Sequence, residues 1–234
     1  GPTPNFQFVL QQARGVYFMW LGDDDWMGPG FIASCVAELQ ADPSLAVVGG
    51  VVHYYRDGRV YARDRVDAFL MDHPLVRIFS YYRKVCNNGI FYSLMRRDLM
   101  FANNLKNCMG GDWLFVAGMI YSGRALQLPN VSVHRDMGGT SESKFKIAKI
   151  LKTSSIGAAF PHLAIAMHAA QDIFFGNAVY QDMSLTRRLL VAGGVAAEVI
   201  LLKGILRNLM LLPSRSARLV LGEKKYRKLV SFFS

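Results

Sequence analysis

Val16-Tyr17-Phe18-Met19-Trp20-Leu21-Gly22-Asp23-Asp24-Asp25 is the stretch on which the reading of this chain turns. A continuous apolar and aromatic run closed by a glycine predicts a short buried strand of the kind found in parallel sheets. The three carboxylates that follow repel one another and need compensation. A divalent cation supplies it, because hard cations take carboxylate oxygens. In an open α/β sheet, ligands bind at the carboxyl ends of strands. The plainer reading is a solvated acidic loop that favours the positive end of the next helix. The strand before the aspartates, and Pro29 in the expected first turn of a helix after them, shift the balance toward a metal-diphosphate site. That helix is predicted to run to about Gln40 and to stop near Asp42-Pro43.

Outward from there the pattern is α/β. Leu45–Val52 is a second β-branched run, and Tyr54–Tyr61 reads as a hairpin turning on Asp57-Gly58. Asn87-Asn88-Gly89 marks a turn, with a strand expected over Ile90–Met95. Gly110-Gly111 interrupts the chain before Asp112, and Trp113–Tyr121 predicts an apolar helix closed by Gly123. Ala125–Leu128 and Val131–Val133 read as strand pieces on either side of Pro129-Asn130, followed by a Gly138–Ser141 loop. Beyond about residue 144 the pattern turns helical, most clearly over Phe160–Phe175 and Leu189–Leu212. Two regions are therefore expected, 1–143 and 144–234.

Charge separates the same two regions. Residues 1–143 hold 13 Lys/Arg against 13 Asp/Glu, whereas residues 144–234 hold 14 against 4, so the whole excess of +10 lies in the second. A basic surface of this kind faces phosphate, in membrane headgroups or nucleic acid. Cys35, Cys86 and Cys108 are odd in number and lack CxxC spacing, which disfavours a disulfide framework or zinc knuckle and fits a reducing compartment. The opening Gly1-Pro2, with no initiating Met, leads to the expectation that the numbering begins partway through a longer protein.

Other residues carry chemistry by type and position. Asp112 reads either as a helix N-cap or as a general base kept ionised by the helix N-terminus. His134 and Arg135 are either ordinary polar residues or ligands. Trp113 either stacks on a sugar ring or belongs to the core. Arg96-Arg97 reads as a solvated pair.

The stretch Asn5–Leu10 and Ala13-Arg14-Gly15-Val16-Tyr17 through Asp25 closely resembles family 2 glycosyltransferases of the GT-A fold, in which an A-x-G-x-Y strand leads into a DxD motif. The order Gly89–Arg97, Gly110-Gly111-Asp112-Trp113 and Gly123-Arg124-Ala125 resembles the acceptor half of that family. The resemblance spans roughly residues 4–143. It implies an α/β, GT-A-like (Rossmann-like) mixed sheet flanked by helices, N-terminally incomplete, because the family's first donor-binding strands precede residue 4. It further implies inverting transfer from a nucleotide-sugar donor to a saccharide or lipid-linked acceptor, with Mn²⁺ or Mg²⁺ as cofactor. Asp25 resembles the metal ligand, and Asp23 the partner that reaches the ribose or a metal-bound water. Asp24 lies on the substrate side. Asp112 resembles the catalytic base, although Gly111 stands where the family usually has Glu. His134 resembles a third metal ligand and Arg135 a diphosphate contact.

The C-terminal region is the remaining question. Leu189–Leu212 is long enough to span a bilayer, but Glu198, Lys203 and Arg207 oppose it at about 2.5–3.5 kcal/mol each near the centre. An in-plane helix with Lys203 and Arg207 on one face fits better, with Arg215, Arg218, Lys224, Lys225, Arg227 and Lys228 on anionic lipid and Phe232-Phe233 as an anchor. Core helices with a solvated tail are the alternative. The expected location is cytoplasmic, at the cytoplasmic face of the membrane. Two rival functions are a truncated, non-catalytic transferase module that binds membrane or a partner, and a nucleic-acid binder. The second lacks interleaved aromatics and any recognisable module.

Overall fold

The computed structural model describes residues 2–103, 105–137, 144–152 and 155–206. Its strands are β1 (Tyr17–Phe18), β2 (Trp26–Met27), β3 (Leu45–Arg56), β4 (Arg59–Arg63), β5 (Ala68–Phe69), β6 (Leu94–Arg96) and β7 (Arg124–Asp136). Its helices are α1 (Pro2–Gln12), α2 (Phe31–Ala41), α3 (Pro74–Lys84), α4 (Arg97–Ala102), α5 (Gly111–Ser122), α6 (Lys144–Leu151), α7 (Ser155–Ala159), α8 (Pro161–Gln171) and α9 (Leu185–Glu198).

β3 is the spine of a mixed sheet. Its run from Leu45 to Gly50 is buried throughout, as a strand covered on both faces must be. It pairs parallel with β7 and antiparallel with β6, in the order β1-β6-β3-β7-β2. β4 returns along β3 through the Asp57-Gly58 turn, where both residues have positive φ (52° and 72°), as a tight hairpin demands. β7 is one strand with an irregularity where Gly50–Val51 meets Leu128–Ser132, so the two expected pieces join across Pro129-Asn130.

Several expectations change. The decisive run is not a long inner strand. Only Tyr17 and Phe18 pair, antiparallel to Arg96 and Met95 at the edge of the sheet, and Val16 is exposed. Trp20 leaves the ladder because it finds a better partner: its ring stacks on Phe91 at 4.8 Å and its indole N–H donates to the Phe6 carbonyl. The chain then crosses from β1 at one edge to β2 at the other, carrying the three aspartates over the sheet. Pro29 precedes α2 instead of opening it. Gly30, at φ 73°, is the N-cap. Ile90 falls in a 3₁₀ turn, Gly89–Tyr92, and only Leu94–Arg96 is strand. Arg96 and Arg97 are not solvated: Arg96 donates to the carbonyls of Leu45, Leu39 and Asp42, and Arg97 to that of Ala13.

Two hydrophobic clusters lie on the sheet. The smaller packs Phe31, Cys35 and Leu39 of α2 against Val48, Val52 and Val133. The larger joins Trp20, Phe91, Met95, Leu114 and Phe115 to Ile165, Ala169 and Val195 of α8 and α9. Residue 143 is therefore not a boundary of the core. After α8 and α9 the chain winds into π-helical segments, Asp172–Gly176 and Val199–Leu206. Lys203 does not face outward as expected. It is buried and donates to the Arg83 carbonyl at 2.7 Å, while Arg83 pairs with Glu198 at 2.7 Å. Arg207, the basic residues beyond it, Phe232-Phe233 and the Gly138–Ser141 loop lie outside the described residues. Among the described residues no helix is long and apolar enough to cross a membrane. The three cysteines are free.

The β3–β7 contact depends on Gly50. A Cβ there would sit 2.3 Å from the Val131 carbonyl oxygen, which is backbone and cannot swing away. Gly50→Ala is expected to cost about 1–3 kcal/mol, read as a lower urea midpoint at unchanged slope.

Candidate functional site

The site lies where the aspartate crossing meets the end of β7 and the start of α5. Asp25 closes a turn, its N–H donating to the Gly22 carbonyl at 3.3 Å. A Cβ on Gly22 would lie 2.8 Å from Asp24 Oδ1 and 3.0 Å from Asp25 Oδ2, so the glycine lets both carboxylates fold over one stretch of backbone. Asp23 and Asp24 are exposed, whereas Asp25 is buried. Asp25 Oδ2 accepts from Arg135 Nε at 3.0 Å, and Oδ1 meets no hydrogen-bond donor. Arg135 in turn lies over the Tyr92 ring, 3.7 Å from its centroid. Burial pushes the Tyr92 hydroxyl up to about 12; Arg135 opposes the shift, and Asp112 and Asp25 add to it. Tyr92 and Arg135 thus stand within electrostatic reach of both aspartates.

Asp112 is not the N-cap of its helix. Gly110 is, at φ 77°, and Asp112 sits in the first turn. Its carboxylate is half-buried, and Oδ2 accepts from the Asn88 amide at 2.8 Å. The sequence reading has the helix end keeping this group ionised. The balance goes the other way: burial raises its pKa, outweighing Asn88, the backbone N–H groups of Trp113 and of Asp112 itself, and Arg135. Gly111 also has a reason. A Cβ there would fall 2.0 Å from the Lys106 carbonyl oxygen, so a side chain, the expected Glu included, has no room at this position.

His134 is not brought to Asp25. Successive strand residues face opposite sides, so the turn of Arg135 toward Asp25 sends His134 away. It stacks on Trp26 with centroids 5.1 Å apart, and its ring nitrogens meet Ser132 Oγ at 2.9 Å and Tyr55 OH at 3.1 Å. Its pKa is lowered by burial. Trp113 belongs to the large core cluster and offers no face to a sugar. Among the described residues no three His, Cys, Asp or Glu side chains converge as a metal cage. A cavity of about 540 Å³ lined by Arg77, Arg96 and Arg124 opens at the opposite ends of β3 and β7 and involves neither Asp25 nor Asp112.

Three residues of the site go unnoticed in the sequence. Asn88 appears there only as part of a turn, and Tyr92 only as part of a strand. Asp64 has no signal at all. It accepts from Tyr54 OH at 2.7 Å, the Gly89 N–H at 2.8 Å and Asn87 Nδ2 at 3.0 Å.

Residues 1–101 match the model of glycosyl transferase family 2. This segment is similar to glycosyl transferase family 2. The match contains Asp23–Asp25, Asn88 and Tyr92, and ends before Asp112. No curated protein sequence matches the chain significantly. A crystal structure of S. aureus TarS is similar over 99% of this chain at 13% identity, with a TM-score of 0.51. The chain spans about two fifths of that TarS chain, 42% of its length. A second structure, S. aureus TarS 1–349, matches over 99% of this chain and 70% of its own, at 14% identity and a TM-score of 0.39. The fold is accordingly GT-A-like, a mixed sheet flanked by helices.

Proposed function

We propose that the protein transfers a sugar from a nucleotide-diphosphate sugar to a hydroxyl of a saccharide or lipid-linked acceptor, with inversion at the anomeric carbon. The observation that carries this reading is that Asp25 and Asp112 both stand within electrostatic reach of one Tyr92–Arg135 pair. In a single displacement the acceptor oxygen forms its bond to C1 as the bond from C1 to the diphosphate oxygen breaks. The leaving group departs with the electron pair, and the acceptor proton passes to a base on the attacking side. Asp112 takes that proton. A carboxylate raised toward the working pH is a better base than an ordinary one. Arg135 and the aspartate turn lie on the leaving side, where negative charge grows.

Asp25 Oδ1, with the Asp24 carboxylate folded over the same Gly22 backbone, offers hard oxygen donors of the kind Mn²⁺ or Mg²⁺ takes, and the donor diphosphate would have to complete the set. When bound, the cation supplies charge neutralisation to the departing diphosphate. His134 has no part in that set. Incubating the whole protein with a panel of nucleotide sugars and Mn²⁺ tests the reading. Nucleoside diphosphate release that EDTA abolishes and Mn²⁺ restores is expected. No release from any donor, with or without acceptor saccharides, sinks it.

We further propose membrane contact, for which the exposed apolar side chains of the C-terminal helices speak. Leu189, Leu190, Leu201 and Ile205 are exposed along α9 and the segment after it, Leu190 at 70%. Exposed apolar side chains of this kind suit contact with an apolar surface.

A further inference from the structure

The Asp112 carboxylate is held by a chain of buried polar groups that reaches back to α3 and β3. Asn88 is 3% exposed. Its side-chain carbonyl accepts from Tyr81 OH at 2.8 Å, which leaves its NH₂ to donate to Asp112 Oδ2 at 2.8 Å. Tyr81 is itself fully buried, so its hydroxyl has little freedom to choose another partner. The backbone at Asn88 is left-handed, φ 56°, a conformation that Asn tolerates better than other side-chain-bearing residues.

That conformation is clamped from outside. Asp64 accepts from the Gly89 N–H, from Asn87 and from Tyr54 OH, tying the turn to β3. A Cβ on Gly89 would lie 2.2 Å from Asp64 Oδ2, so the clamp closes only on glycine. The Asn87-Asn88-Gly89 turn is thus specified residue by residue, and it delivers one amide to one carboxylate oxygen.

We infer that Asn88 is a positioning residue for Asp112, fixing the rotation of its carboxylate and occupying Oδ2 so that the other oxygen is presented to the acceptor hydroxyl. The inference rests on the reading of Asp112 as the base. The charged and titratable groups facing Asp112 are Arg135 from β7, Tyr81 and Tyr82 from α3, Tyr92 from the 3₁₀ turn and Cys108 from the loop before α5. Arg135 favours the carboxylate, as the amide of Asn88 does; burial opposes both.

Asn88→Gly tests this cleanly, because glycine keeps the left-handed backbone and removes only the amide. Loss of a donor to the charged form raises the carboxylate's pKa. The acidic limb of the kcat/KM profile is therefore expected to move up by about one pH unit, with kcat down roughly tenfold to a hundredfold and the donor KM unchanged. Tyr81→Phe, which frees the amide to turn, should move the limb in the same direction by less. A ¹³C-carboxylate NMR titration of Asp112 reads the same shift without turnover. A limb and an NMR titration that stay in place in both variants overturn the inference. If the titration moves but Asp112→Asn retains full turnover, the contact is structural, and both the base reading and the positioning role fall. If Asp112→Asn is inactive and the titration stays in place, positioning by Asn88 falls and the base reading survives.

Discussion

Asp112→Asn is expected to lower transfer by about 10²–10⁴-fold, the range a positioned general base contributes. The substitution leaves the shape of the site almost intact, since the new amide oxygen can still accept from Asn88. It removes only the ability to take a proton. A second effect follows from the same environment. Burial raises the Asp112 pKa on folding, so the folded chain holds this proton more tightly than the unfolded one. Stability is then lost as pH rises through the window between the ordinary carboxylate value and the raised one. An uncharged amide is spared that loss. The variant should melt higher than the parent at pH 7, and the difference should vanish below the ordinary carboxylate range, near pH 3. Slower transfer with greater thermal stability is the signature of a group kept for chemistry at a cost to the fold. Equal melting at both pH values would show that the carboxylate is not held against its preference.

What the sequence made legible was local. The β-branched run of β3, the Asp57-Gly58 hairpin, the helix between Gly111 and Gly123, and the aspartate turn each depend on neighbours in the chain, and each stands where the pattern put it. Asp25, Arg135 and Asp112 were legible as candidates, and Tyr92 and Arg135 link the two aspartates. What failed depended on distant partners. Trp20 left its strand for Phe91, some 70 residues on. Lys203 turned inward to the Arg83 carbonyl, a pairing no helical periodicity announces. His134 went astray for a different reason. It is adjacent to Arg135, and adjacency on a strand means opposite faces, so the two cannot both turn to Asp25. Asp64 was invisible because a single aspartate in a polar loop looks like any other, and its meaning lies in the three donors that converge on it.

Asp25→Ala is expected to have the other large effect, on both chemistry and stability. Asp25 and Arg135 form an ion pair whose side chains are 1% and 14% exposed. Removing the carboxylate leaves the guanidinium buried beside Tyr92 with no counter-charge, and breaking such a pair from one side costs about 3–5 kcal/mol. It also removes Oδ1, the buried oxygen without a donor, and with it the expected hold on the cation and the donor diphosphate. Mn²⁺-dependent donor binding, followed by calorimetry, should disappear, and transfer should fall at least a hundredfold. The stability loss alone would explain lost activity, so the two effects need separating. Adding Arg135→Leu to Asp25→Ala removes the stranded charge and should recover most of the melting temperature, because a pair deleted from both sides costs far less than one deleted from one. Because Arg135 is itself on the diphosphate side, the reading in that double variant is Mn²⁺ alone, without donor, and its binding should stay lost. Binding that returned with the melting temperature would mean Asp25 serves only to neutralise Arg135, and the cation would have to be held elsewhere.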